Sequence, residues 1–391
     1  MRYIAVVAVA ASVTFVLAYF ILKLSHRFRL YPKIRERDVH TRPTPRLGGV
    51  AMFIGVVAGF GAATLFDKFD ALFLDPRQIW GLLAAALLIV AIGVADDLLD
   101  LTWYTKLAGQ FIVGGILVYT GTRIYTLPIP GSGVVIMPET FWVVVSIFAV
   151  VLVMNAINFI DGLDGLVAGV ALIANGVFFI YSYSFAYLNR ELDYLGTASL
   201  ITAVLIGACI GFLPLNFHPA KLFMGDAGAL LTGLLMAASA LSFTGQVDPD
   251  SYSYGGQQLP GLIPIILPFA ILVLPLLDFG LAVLRRLRAG KSPFAADRLH
   301  LHHRLLDIGH SHLQAVLIFY AWTAVISIGC LAFIFIQWEW ATVAIAVGVL
   351  LCAWATVVPL LRRNPIDPDA AAHLAAQADA DAGIVQKGEG I

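Results

Sequence analysis

The chain has 391 residues, of which 60% are hydrophobic and 13% charged, with a formal net charge of −1. A soluble globular domain carries about 25% charged residues, so this chain lacks the polar surface to face water, and a soluble protein is excluded. The net charge says nothing about partners, because the charges are gathered into particular loops, and no nucleic-acid partner is expected.

Apolar runs near the ~20 residues a helix needs to cross a bilayer occur at 3–22, 47–66, 79–95, 105–121, 140–157, 165–184, 197–215, 227–243, 260–284, 314–336 and 340–361. The first is too long for the apolar core of a signal peptide and lacks a small-residue cleavage site, so it reads as a span. Pro214, Pro264, Pro268 and Pro275 fall inside runs, where membrane helices tolerate a bend. Lysine and arginine set the orientation, since cytoplasmic loops hold the excess. The odd-numbered loops and the tail hold nineteen, the even-numbered loops four. The expectation is an all-α polytopic membrane protein with eleven spans, its N-terminus outside and its C-terminus cytoplasmic. Residues 1–361 form one transmembrane domain. Residues 362–391, Ala/Asp-rich and without apolar periodicity, read as a disordered tail. Cys209, Cys330 and Cys352 lie in apolar runs and show neither metal nor disulfide spacing.

Four polar clusters interrupt the pattern, each on an odd-numbered, cytoplasmic loop. Asp96-Asp97, with Asp100 behind, ends the third span. Adjacent carboxylates repel unless a cation sits by them, and Mg²⁺ is held by one or two carboxylates plus substrate phosphates. Solvated acids ending a helix are the plainer alternative, although the helix dipole disfavours negative charge there. Asn158, Asp161 and Asp164, spaced three apart, share a helical face, with Gly162 and Gly165 allowing close approach. An N-cap for the next span is the alternative. Asp226 stands between glycines at the mouth of the eighth span, a position suited to phosphate and metal or to simple capping, with Asn216 and Lys221 nearby. His300, His302 and His303, flanked by Arg298 and Arg304, suit pyrophosphate charge beside a magnesium site. Interfacial histidines remain an alternative, whereas zinc fits poorly among hard acidic donors. His310 and His312 read as loop residues. The basic stretch 23–46 is either a positive-inside signal drawn to anionic lipid or, at its inner end from Arg42 to Arg46, a phosphate holder.

In DDLLDL (96–101), NFIDGLDG (158–165), PAKLFMGDAG (219–228) and HLHHRL (300–305), in this order, the chain resembles the polyprenyl-phosphate N-acetylhexosamine-1-phosphate transferases. HTRPTPRLGG (40–49) and the Pro-Leu-Leu-Asp run ending at Asp278 support this, and the resemblance covers about residues 1–360. HLHHRL resembles the undecaprenyl-phosphate GlcNAc-1-phosphate branch rather than the lipid I translocases, which carry three consecutive histidines. The resemblance implies that Asp97 and Asp226 hold Mg²⁺, with Mn²⁺ as a substitute, and that Asp96 contacts the lipid phosphate. It further implies that Asn158 and Asp161 line the phosphate and sugar region, and that Asp164, Phe223 and Asn216 hold uridine. His300, His302, His303 and Arg298 would face the sugar and pyrophosphate, and Lys106 the rim.

The implied reaction moves N-acetylhexosamine-1-phosphate from a UDP-N-acetylhexosamine to polyprenyl phosphate, releasing UMP at the cytoplasmic face of a bacterial inner membrane. Phosphoryl transfer asks for positioning and charge neutralisation. Direct attack by the lipid phosphate, with Asp96 orienting it, is favoured over an aspartyl-phosphate intermediate. A sister enzyme using UDP-MurNAc-pentapeptide is the nearest rival reading. A transporter would place ionisable residues at the bilayer midplane, where Asp278 is the sole candidate, and a CDP-alcohol enzyme's aspartate pattern is lacking. A homodimer is left open.

Overall fold

The computed structural model describes residues 1–28, 44–74, 76–125, 127–129, 133–135, 137–188, 192–244, 263–288, 290 and 301–362. The expected tail, apart from residue 362, and Arg298 and His300 lie outside the described residues, as do residues 29–43 of the basic stretch 23–46.

Each apolar stretch contains helix. These helices are α1 (Arg2–Phe28), α2 (Gly48–Ala63), α4 (Arg77–Leu99), α5 (Trp103–Tyr119), α6 (Glu139–Ile160), α7 (Leu166–Leu188), α8 (Leu192–Asn216), α9 (Gly225–Thr244), α10 (Ile263–Ile271) with α11 (Val273–Arg288), α13 (His312–Phe335) and α14 (Trp338–Arg362). Eight of them are long and apolar enough to cross a membrane, and the molecule is a helical, multi-pass membrane protein. The other three stretches hold shorter helices. α2 has 16 residues and then turns by 100° through a 3-10 turn into the short α3 (Asp70–Leu74). α5 has 17 residues. The stretch at 260–284 is broken at Leu272 into α10 and α11, between Pro268 and Pro275, where proline removes backbone donors.

The all-α expectation needs one small correction. Between α5 and α6 a short antiparallel ribbon pairs β1 (Leu127–Ile129) with β2 (Gly133–Val135). It lies at the end of the bundle away from Asp97. Apolar stretch reading passes over three-residue strands because they have no period to detect.

α9 is the centre. Nearly every residue from Gly225 to Phe243 is buried, and α2, α4, α6 and α8 pack around it. In lipid there is no hydrophobic drive between helices, so they associate by close backbone approach at small residues. A Cβ at Gly49 would lie 2.2 Å from the Gly228 nitrogen, and one at Gly93 2.3 Å from the Ala227 Cα. Two hydroxyls on α9 are satisfied within the helix: Thr232 donates to the Gly228 carbonyl at 2.8 Å and Ser239 to that of Met236 at 2.9 Å. The outer surface is apolar instead, with Trp80, Phe148, Leu350 and Trp354 all exposed. α13 packs on α7 and carries α14 on its other side, while α11 lies against α6.

Candidate active site

The site forms where one end of the bundle brings the termini of α4, α5, α6 and α9 together. Asp96 and Asp97 lie in the last turn of α4. Asp100 does something different: it takes a left-handed conformation (φ 52°) and its amide donates to the Asp96 carbonyl at 3.0 Å, closing the helix. Asp226 sits in the first turn of α9, the end whose dipole favours a carboxylate. Its amide donates to Asp97 Oδ1 at 3.3 Å.

Lys106, in the first turn of α5, bridges two of these acids. Its Nζ lies 2.9 Å from Asp96 Oδ2 and 3.0 Å from Asp226 Oδ2. Asn158, in the last turn of α6, donates from Nδ2 to Asp226 Oδ1 at 3.2 Å. Asp161 follows directly. Burial pushes its carboxyl up to about 7, the Asp226 carboxylate adding to the rise and Arg46 opposing it.

Asp97 Oδ2 is buried and has no hydrogen-bond partner among the described residues. It faces Gly225, whose φ of +66° is open to glycine and whose Cβ, were there one, would lie 2.3 Å from that oxygen. Oxygen donors at close quarters, one of them unsatisfied, suit a hard divalent cation such as Mg²⁺. Asp97 and Asp226 are the residues that would hold it.

The approach to α9 is built by backbone pairing. Phe223 donates its amide to the Pro45 carbonyl at 2.8 Å, and its own carbonyl accepts from Gly48 at 3.0 Å. This brings Arg46 alongside Gly225, where the Arg46 carbonyl would lie 2.2 Å from an added Cβ. Phe223 itself is half-buried.

Asn216 and Asp164 lie on the α13 side of the same mouth, and both are buried. Asn216 Oδ1 accepts from the Gly165 amide at 3.1 Å and its Nδ2 donates to the Leu222 carbonyl at 3.0 Å, so its side chain ties two loops together. Asp164 Oδ2 lies 2.7 Å from His218 Nδ1 and accepts from the Ala220 amide at 3.1 Å. Lys221 is exposed.

His218 and His312 are additions that the sequence pattern did not supply. Their rings stack, centroids 4.7 Å apart and planes 22° apart, at the first residue of α13. With Asp164 they bring possible metal-ligating atoms within 4.8 Å of one another. Stacked imidazoles keep their lone pairs in near-parallel planes, however, so the two do not aim at one point. One signal for His312 was available: Ser311 and Gln314 form a capping box, which puts the helix start, and hence His312, at the mouth of the site. His310 is buried, its Nε2 2.9 Å from the Thr356 carbonyl of α14.

His302 and His303 lie on α12 (Leu301–Ile308), where His303 is half-buried. Asp278 of α11, fully buried, accepts the Leu301 amide at 2.8 Å and so holds the start of this helix. A buried carboxylate that fixes a helix end accounts for Asp278 without a transport path.

Residues 79–244 match the family model described as glycosyl transferase family 4. That stretch contains every site residue named from Asp96 to Asp226, and excludes Arg46 and the histidine segment. The chain is 38% identical over 359 residues to the decaprenyl-phosphate N-acetylglucosaminephosphotransferase of Mycolicibacterium smegmatis, covering 91% of this chain and 88% of the relative. It is equally similar, over 369 residues, to the protein of that description from Mycobacterium tuberculosis, covering 92% and 90%. The undecaprenyl-phosphate alpha-N-acetylglucosaminyl 1-phosphate transferase of Escherichia coli is 30% identical over 325 residues, covering 80% and 79%.

Proposed function

Since the chain belongs to the polyprenyl-phosphate N-acetylglucosamine-1-phosphate transferases, we propose that it moves GlcNAc-1-phosphate from UDP-GlcNAc onto a polyprenyl phosphate and releases UMP. The reaction takes place at the cytoplasmic face of a bacterial inner membrane and depends on Mg²⁺. Eleven spans with the N-terminus outside agree with the distribution of lysine and arginine.

The observation that carries the reading is the meeting of Asp96, Asp97, Asp226 and Lys106 at one end of the bundle, with Asp97 Oδ2 unsatisfied. Asp97 and Asp226 would hold Mg²⁺, which would supply charge neutralisation for the donor pyrophosphate. The remaining work falls to the chain's own groups. Two polyanionic substrates must be brought into contact, and Lys106 offers one positive charge already shared between Asp96 and Asp226. Asn158 holds Asp226 by Oδ1 and keeps that carboxylate oriented. Asp96 positions the acceptor phosphate, whose second pKa of about 6 leaves it largely dianionic. An oxygen of that phosphate bonds to the sugar-proximal phosphorus as the bond to the UMP oxygen breaks. No proton needs to leave the nucleophile first, so the cluster serves for orientation rather than as a strong base.

The test is transfer of labelled GlcNAc-1-phosphate from UDP-GlcNAc to polyprenyl phosphate by purified protein, with Mg²⁺ or with EDTA. Lipid product and UMP in the Mg²⁺ arm alone, lost in Asp226→Asn, are expected. Product from another UDP-sugar only would retain the chemistry and replace the donor. Consumption of no UDP-sugar by folded protein would overturn the reading.

A further inference from the structure

The loop from Asp161 to Gly165 has to turn the chain from α6 into α7 while presenting Asp161 toward the Asp226 cluster. Its last residue, Gly165, is in the left-handed region (φ +75°). Local bonds such as Leu166 amide to Leu163 carbonyl at 3.1 Å shape the turn, and contacts from outside the loop add to them. The backbone of Gly165 is held on both sides. Its amide donates to Asn216 Oδ1 at 3.1 Å, and its carbonyl accepts from two donors, the Gly169 amide at 3.0 Å and the Tyr320 hydroxyl at 2.5 Å.

Tyr320 comes from α13, 155 residues further along the chain. It reaches Gly165 by lying flat along α7, which is open to it because residue 169 is glycine. A Cβ there would fall 2.0 Å from both Cζ and the hydroxyl oxygen of Tyr320. Eight residues before Tyr320, on the same stripe of α13, His312 stacks on His218, which pairs with Asp164 of the same loop. One rigid helix therefore grips the loop at two points. A half-buried hydroxyl costs stability unless it is hydrogen-bonded, and here its bond is spent on the loop's terminal carbonyl.

We propose that Tyr320 is a positioning residue for the sugar-nucleotide donor: by holding the Gly165 carbonyl it fixes the loop 161–165 in the shape that binds the donor, without touching the reacting atoms. This rests on the transferase reading given above. The effect belongs to donor binding, because the metal-binding pair Asp97 and Asp226 and the bridge through Lys106 are built from α4, α5 and α9, none of which Tyr320 contacts through this bond.

Two substitutions break the same bond from opposite sides. Tyr320→Phe removes the hydroxyl and keeps the ring. Gly169→Ala keeps the hydroxyl and pushes it away, and the group that must yield is the far end of a side chain rather than backbone. The full-length protein, the two variants, UDP-GlcNAc, polyprenyl phosphate and UMP are the materials. Loss of one neutral hydrogen bond predicts a rise of about three- to tenfold in donor KM and in the UMP dissociation constant measured by calorimetry. The expected result is that rise in both variants, with kcat and acceptor KM held within about twofold. Unchanged donor KM and UMP affinity would overturn the proposal, as would a fall in kcat alone, the signature of a partly unfolded preparation. If the wild type transferred no sugar phosphate yet UMP binding weakened in both variants, the reaction assigned above would fail and the clamp would stand.

Discussion

Asp97 gives one oxygen to the Asp226 amide and keeps the other buried and unsatisfied among the described residues. A group of this kind lowers stability and is retained where function needs it. Asp97→Asn is therefore expected to cut transfer by at least about 100-fold, on the scale seen when metal ligation is disturbed, while melting no lower than wild type in EDTA. Added Mg²⁺ should raise the melting temperature of wild type, by binding the native state alone, and leave the variant unmoved. Thermal unfolding in detergent with and without the ion checks both. Asp161 gives a pH prediction with a definite sign. Its folded carboxyl, pushed up to about 7, binds a proton more tightly than the unfolded chain, whose value is near 3.8. Stability therefore declines as pH rises from about 4 to 7. In Mg²⁺-free protein, Asp161→Asn should raise the melting temperature more at pH 8 than at pH 5. At this scale the sequence was informative about acids and poor about their neighbours. Asp96, Asp97, Asn158, Asp161 and Asp226 stood out because carboxylates and an amide interrupt apolar runs. Tyr320 did not, because a tyrosine within an apolar helix looks like packing, and its partner is a backbone carbonyl.

The helices show the same division. Long apolar stretches were legible because nothing but a span accounts for them. The break at Leu272 and the 100° turn after α2 were less so, since prolines mark where bending is tolerated but not how far the chain turns. The three-residue strands left no trace. Nor did the stretches reveal which helix is central, because a helix buried in protein and one facing lipid are both apolar. Glycine spacing carried that information: Gly49 and Gly93 each abut the first turn of α9. A larger residue there meets backbone, which cannot step aside. Gly93→Val is expected to destabilise the fold by about 1–3 kcal/mol or more, as overpacking does, and to reduce transfer because the displaced helix end carries Asp226. Yield of monodisperse protein in detergent, together with activity per folded molecule, separates the two effects.

Among the described residues, the Lys106-bridged acids stand at one end of the bundle and the Arg123–Glu139 ion pair, at 2.7 Å, at the ribbon end between α5 and α6. In the proposed orientation, where the lysine and arginine excess marks the cytoplasmic loops, the first end faces the cytoplasm. Alkaline phosphatase fused after residue 122 should be active, and a green fluorescent protein fused after residue 362 should fluoresce. The reverse pattern would turn the molecule over and put the carboxylates on the wrong side for a cytoplasmic nucleotide sugar. The place of α9 also bears on how the protein is made. Helices α2, α4, α6 and α8, which enclose it, all leave the ribosome before it does. The enclosing helices must wait in the bilayer with their glycine faces turned to lipid or to one another, and the wall of the site that carries Asp226 arrives with the helix that fills the gap. A nascent chain halted before Gly225 is thus a ring without its axle, a form that membrane quality control should recognise and degrade.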